Sequence, residues 1–247
     1  LMRSSAASDV YKRQFYNGVN ATINVADSTV QVGKIVLNDE SISTTVNTTG
    51  KTVLNLSAGQ YDAIEKTRDG NGIVGNIPGG TFSNSVNPTY LADGLKYEVY
   101  AGGKYSYYSD FDSAAAAAAA GRDEVIKVGN SNTGVVPFHI DYADGTGVKP
   151  VLRMSKDNFE LPTPTRSGYT FKGWKIALHE GEQIPGFTGT YTSEQVKDIV
   201  FAEAATDGGA INRFSDGAYL TAVWSANSYY YYSSATDTTS TTKGSPK

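Results

Sequence analysis

The sequence predicts a mainly β protein in two parts: the stacked coils of a β-solenoid, then a small β-grasp-like module with one helix. Three observations predict it. Short runs rich in Val, Ile, Thr, Tyr and Phe alternate with turns built from Gly and Asn along most of the 247 residues. Two strand–turn units, LNLSAGQY at 54–61 and GNIPGGTF at 75–82, look alike at a spacing of 21 residues. A repeat that short cannot bury its apolar face alone and must stack on a neighbour. In the second half, a single segment with helical periodicity, Thr192 to Ala205, lies among strands.

Residues 15–94 hold the expected coils. Ala21 to Val25 and Thr29 to Val32 alternate, and Ile35 to Leu37, Val53 to Leu56 and Ile73 to Ile77 follow. Asn17-Gly18, Thr49-Gly50, Asp69-Gly70-Asn71-Gly72 and Gly79-Gly80 punctuate them as turns. Pro78 cannot donate to a ladder, which places it at a corner or in a last coil. Residues 95–128 read as a cap. KYEVY and KYSYY flank Ala101-Gly102-Gly103, a hairpin signal. Asp112 or Ser113 then caps an Ala114 to Ala120 helix that Gly121 stops, and Glu124 to Val128 is a further strand. Together these would cover the edge that a last coil exposes. The alternative for the Ala run is a low-complexity linker.

Gly129 to Gly134 reads as a linker, and a module over 135–226 follows. Val136 to Tyr142 and Val148 to Met154 form strands around an Asp144-Gly145 turn. Pro162 and Pro164 bias Leu161 and Thr163 to extended conformations, and Ser167-Gly168 turns the chain. Strict alternation from Tyr169 to Trp174 puts Tyr169 and Phe171 on one face and Thr170, Lys172 and Trp174 on the other. Thr192 and Gln195 fit a capping box, with Val196, Ile199 and Val200 on one helix face. In Tyr219 to Trp224, Leu220, Ala222 and Trp224 oppose Tyr219, Thr221 and Val223. Patterned aromatics of this kind read as core packing rather than a ligand platform. Residues 227–247 are a Ser/Thr-rich linker, with Tyr229 to Tyr232 as a short edge strand or a sticky patch.

Two segments carry resemblances. LPTPTRSGYTFKGW at 161–174 with YLTAVW at 219–224 resembles the Listeria–Bacteroides repeat, also called the internalin B-type repeat. That family implies a β-grasp-like extracellular module of bacterial surface proteins. IPGGTFSNSVNPTYLADG at 77–94 resembles the closing segment of right-handed parallel β-helix regions in gut bacterial surface proteins, through Ile77, Gly79 to Ser83, Val86 and Tyr90 to Gly94. Residues 4–14, SSAASDVYKRQ, resemble a translated sequencing adapter, so residues 1–14 stand outside fold reasoning and the protein proper is expected to begin near Phe15.

Composition narrows function mainly by exclusion. Cys is absent, which excludes disulfides and thiolate metal sites. A net charge of -4 argues against nucleic acid as a partner, and no apolar run approaches a membrane span. The two histidines, His139 and His179, sit in no acid/base motif. Asp141 and Asp144 lack the ligand spacing of a calcium loop and read as turn residues, as does Asp69 to Gly72. Gly79-Gly80 precedes Thr-Phe-Ser with no Lys, unlike a phosphate loop. The charged residues of the coils (Asp27, Asp39, Asp62, Asp69, Lys34, Lys51 and Arg68) are scattered.

No catalytic, cofactor or metal residues are therefore expected. The resemblances imply a non-catalytic fragment of a secreted bacterial cell-surface protein, a stalk or adhesion module facing host-surface glycan or protein and joined to the cell envelope through other regions. The alternative is the ancillary C-terminal part of a carbohydrate-active β-helix enzyme whose active site lies further N-terminal. Tyr100, Tyr105, Tyr107, Tyr108 and Tyr229 to Tyr232 are the candidate contact residues, because tyrosine rings are rigid and amphipathic.

Overall fold

The alternating runs described between residues 21 and 82 become strands that pair in parallel, one repeat above the next. The computed structural model describes residues 21–37, 52–66, 73–118, 124–129, 134–178, 182, 184–202, 214, 216–231 and 242–244. The adapter-like residues, the turns at 17–18, 49–50 and 69–72, the end of the Ala run with Gly121, the linker residues 130–133, Asp39, Lys51, Arg68, His179 and Tyr232 lie outside them. The chain divides into two units, Leu1–Arg122 and Asp123–Lys247, both mainly β.

In the first unit, β1 (Ala21–Val25), β3 (Thr52–Leu56) and β5 (Ile73–Asn76) form one parallel sheet. A second parallel array comprises β2 (Gln31–Leu37), β4 (Gln60–Lys66) and β6 (Thr81–Phe82). The corners joining them stack as well: Ser57 N donates to Val25 O at 2.9 Å and Gly79 N to Leu56 O at 3.2 Å. That stacking requires glycine at 79, where a Cβ would lie 2.4 Å from Ser57 O. Leu54, Leu56, Tyr61, Ala63, Ile77 and Phe82 fill the interior, and the Tyr61 and Phe82 rings stack with centroids 5.1 Å apart. On the outside, Asn55 Nδ2 donates to Asn24 Oδ1 at 2.8 Å and Asn76 Nδ2 to Asn55 Oδ1 at 2.9 Å, an amide ladder across three strands.

The expected Thr29 start of β2 shifts to Gln31. Asp27 Oδ1 accepts from both the backbone N and the hydroxyl of Thr29, which holds that residue in a turn. The expected break between Val32 and Ile35 is absent, and one strand runs through. Pro78 sits at the corner between β5 and β6, where no ladder donor is needed. Residues 87–92 then lie along the third repeat, with Ile77 N donating to Tyr90 O and Ala92 N to Ile77 O, both at 3.1 Å.

The hairpin forms as β7 (Tyr97–Ala101) and β8 (Lys104–Tyr108) around Gly102-Gly103, and β8 pairs antiparallel with β6. The helix α1 (Phe111–Ala118) starts earlier than Asp112 or Ser113 would place it. Its cap is Asp110, whose Oδ1 accepts from Ser113 N at 2.8 Å. The earlier start brings Phe111 into the helix, where its ring meets Tyr97 at 5.9 Å, and buries Ala114, Ala115 and Ala118.

In the second unit, β9 (Glu124–Lys127), β10 (Val136–Asp141), β11 (Val151–Met154), β12 (Tyr169–Ala177) and β13 (Ala218–Ala226) make a mixed sheet. Its order is β12-β13-β10-β11-β9. β10 pairs antiparallel with β11 and parallel with β13, and β9, expected in the cap, pairs parallel with β11. The return strand starts at Val151 instead of Val148, immediately after Pro150, which has no N–H to give. The helix α2 (Ser193–Ala202) is capped as expected: Gln195 N donates to Thr192 Oγ1, and Thr192 N to Gln195 Oε1. Phe201 on α2 meets Phe138 and Phe159, with centroids 6.2 and 5.9 Å away. Beyond β13, β14 (Tyr229–Tyr231) pairs antiparallel with β15 (Thr242–Gly244).

The alternation expected from Tyr169 to Trp174 breaks at Lys172. Phe171 pairs with Trp224 and Gly173 with Val223, so Lys172 is the extra residue of a bulge. The bulge turns Trp174 onto the face of Phe171, and Trp174 is fully buried there. Gly173 adopts φ 133°, and a Cβ on it would lie 2.5 Å from Tyr191 O. Tyr191 is drawn in by a bridge to Trp174, with both N–H···O bonds at 2.8 Å.

Candidate functional site

The hairpin tyrosines do not share one surface. Alternation along β8 sends Tyr107 inward, where its ring packs against Phe82 at 6.0 Å. Its hydroxyl accepts from Val86 N at 2.6 Å and donates to Glu98 Oε2 at 2.8 Å, and Ser85 Oγ donates to the same carboxylate oxygen. Burial first, and the Glu98 charge with it, push the Tyr107 hydroxyl above the ordinary tyrosine range. Tyr107 is therefore a packing residue. Tyr100 and Tyr105 pair across the hairpin with centroids 4.7 Å apart and are half-buried. Tyr108 is half-buried on the other face of β8, where its hydroxyl accepts from Ser106 Oγ at 3.1 Å.

Tyr108 and Ser106 border a groove of about 450 Å³ that runs over the stacked corners of the first unit. Its other walls are Ser28, residues 57–60 and residues 79–81, with Tyr107 behind. None of these residues is charged. Tyr61 lies beneath, and its hydroxyl donates to Ala58 O at 2.7 Å. Burial pushes that hydroxyl up to about 12.

On the same sheet, Asp62, Ser83 and Lys104 form a closed triangle. Lys104 Nζ donates to Ser83 Oγ at 2.6 Å, Ser83 Oγ donates to Asp62 Oδ1 at 3.0 Å, and the Lys104–Asp62 pair spans 3.8 Å. The three groups satisfy one another, and the Asp62 carboxylate is largely solvated. Of the scattered coil charges, Lys34 pairs with Glu65 at 2.8 Å, and Asp27 is tied to Thr29, whose bonds hold its carboxyl below the usual range.

In the second unit, His139 stacks flat on Tyr219 across the β10–β13 ladder, with centroids 4.1 Å apart. Burial, then the Arg153 charge, hold its imidazole below the ordinary histidine value. Asp141 and Asp144 serve turns: Asp141 Oδ1 accepts from Ala143 N, and Asp144 Oδ1 accepts from Thr146 N and Thr146 Oγ1. Those Thr146 bonds hold the Asp144 carboxyl below its usual range. Among the described residues, no three His, Asp or Glu side chains converge on a metal position. No helix there is long and apolar enough to cross a membrane.

The repeat-like aromatics gather in one place. Phe171 lies 5.1 Å from Trp174 and 5.5 Å from Trp224, and Trp224 Nε1 donates to Tyr142 O at 2.7 Å. Sequence reasoning missed the groove because its walls come from four separate segments. It also missed the amide ladder, although each of Asn24, Asn55 and Asn76 precedes an apolar residue. Compared with known proteins, the chain matches no family model, no curated protein and no solved structure.

Proposed function

We propose that the chain is a non-catalytic module of a secreted bacterial cell-surface protein, acting as a stalk and adhesive segment toward host-surface glycan or protein. One observation carries this most directly. The residues that resemble the Listeria–Bacteroides repeat, Phe171, Trp174 and Trp224, form a single packed cluster around a bulge. Their shared pattern thus has a structural purpose, as a repeat used to build a spacer would need. A central strand β10 parallel to the last long strand β13, with a helix on the same sheet, fits the β-grasp-like module at 135–226. Parallel pairing of β1, β3, β5 and of β2, β4, β6 fits the end of a right-handed parallel β-helix over 15–94.

The test is to extend the reading frame from flanking genomic DNA and to fractionate the producing cells. An export signal, an envelope anchor and surface labelling are expected. A continuous frame with neither signal nor anchor would overturn the proposal. Release of reducing ends from a polysaccharide panel by the intact protein would overturn its non-catalytic part.

A further inference from the structure

We infer that the groove over the stacked corners of the first unit binds a neutral oligosaccharide, a ligand assignment that rests on the adhesive role proposed above. None of the eleven lining residues is charged. A phosphate, a carboxylate or a metal cation would be desolvated there without a counter-charge, which is costly. Of the charges beside it, Asp27 next to Ser28 is tied to Thr29 through two hydrogen bonds, and Asp62 and Lys104 are 3.8 Å apart and offset one another.

What the groove does offer is hydroxyl and amide. The side chains of Ser28, Gln60 and Thr81 have no hydrogen-bond partner among the described residues. Each can donate and accept at once, as a sugar hydroxyl does. Ser106 and Tyr108 add a linked hydroxyl pair at one end, and the half-buried Tyr108 ring gives a rigid apolar surface for the C–H face of a sugar. The corners recur at the strand spacing of about 4.8 Å. Gln60 and Thr81 are register partners on adjacent strands, so two of these side chains line up along the groove, which fits a chain of sugars better than a single one.

A peptide adding itself as a strand is disfavoured. The corner N–H groups of Ser57, Gly79 and Thr81 already donate within the stack, to Val25 O, Leu56 O and Gly59 O.

The experiment is calorimetric titration of the full chain with cellohexaose, xylohexaose, mannohexaose and, as the acidic arm, tetragalacturonate. At least one neutral hexasaccharide should bind, with affinity unchanged by added salt because no ion pair is made. Gln60→Ala and Tyr108→Ala should each weaken binding about tenfold. Both sites are solvent-accessible, and an unchanged melting temperature for Gln60→Ala separates lost contact from lost fold. The groove assignment is overturned if all three neutral sugars fail, if tetragalacturonate is preferred, or if both variants bind as before. In that last outcome glycan binding itself survives, so the adhesive role stands while the groove does not.

Discussion

Phe171 and Trp174 are three residues apart on one strand, yet their rings meet edge to face at 5.1 Å. A regular strand would send them to opposite faces. The bulge at Lys172 brings them together, and it exists because Gly173 accepts a backbone shape that leaves room for Tyr191 O.

Gly173→Ala should destabilise the second unit by roughly 2–4 kcal/mol, since it adds both backbone strain and a clash with backbone. Deleting Lys172 should be worse, because every residue from Gly173 onward then changes face. Chemical denaturation followed by tryptophan fluorescence checks both, as both tryptophans lie in this unit. A Gly173→Ala protein as stable as the parent would remove the steric account of the bulge.

Trp224→Phe should keep the ring contact with Phe171 but lose the 2.7 Å bond to Tyr142 O, at a cost of about 1 kcal/mol. It also leaves Trp174 as the sole tryptophan, read by excitation at the red edge where tyrosine does not absorb. Because Trp174 is fully buried, emission should be blue-shifted and resist quenching by acrylamide until the unit unfolds.

Asn55 is the middle rung of the amide ladder, donating to Asn24 and accepting from Asn76. Asn55→Ala should cost roughly 1–2 kcal/mol, and Asn24→Ala about half of that, since it breaks one bond instead of two. Thermal melts of the two variants give the ratio, and equal losses would mean that the Asn76–Asn55 rung adds nothing to stability.

Tyr61 and Tyr107 make the first unit sensitive to alkali. Their folded-state values lie above that of an exposed tyrosine, so the stability they confer is complete below about pH 10. It is lost as the pH rises from there through their folded values, about 12 for Tyr61. Absorbance titration at constant temperature should show at least two tyrosines ionising only together with unfolding. Tyr107→Phe should lower the stability at pH 8 and flatten the alkaline slope.

Local chemistry made some features legible in the sequence. The Thr192–Gln195 capping box and the Gly102-Gly103 hairpin are each settled within a few residues, and both appear as expected. The 21-residue spacing of 54–61 and 75–82 likewise survives as parallel pairing of Thr52–Asn55 with Ile73–Asn76. The face of Trp174 was not legible. It depends on Tyr191, brought alongside the strand from 17 positions further on. The helix start was missed because Asp110, Asp112 and Ser113 are all able caps, and burial of Phe111 selects among them. The ladder was hidden by unequal spacing, 31 residues for its first rung and 21 for its second.

The parallel pairing of β10 with β13 has a mechanical consequence. Tension applied between the start of β10 and the end of β13 pulls the two neighbours in opposite directions along their length. The ladder from Phe138–Ala218 to Asp141–Thr221 is then sheared, and its rungs carry the load together instead of opening one at a time. Loaded in this direction, the unit yields late, holding its shape until the whole ladder gives way at once.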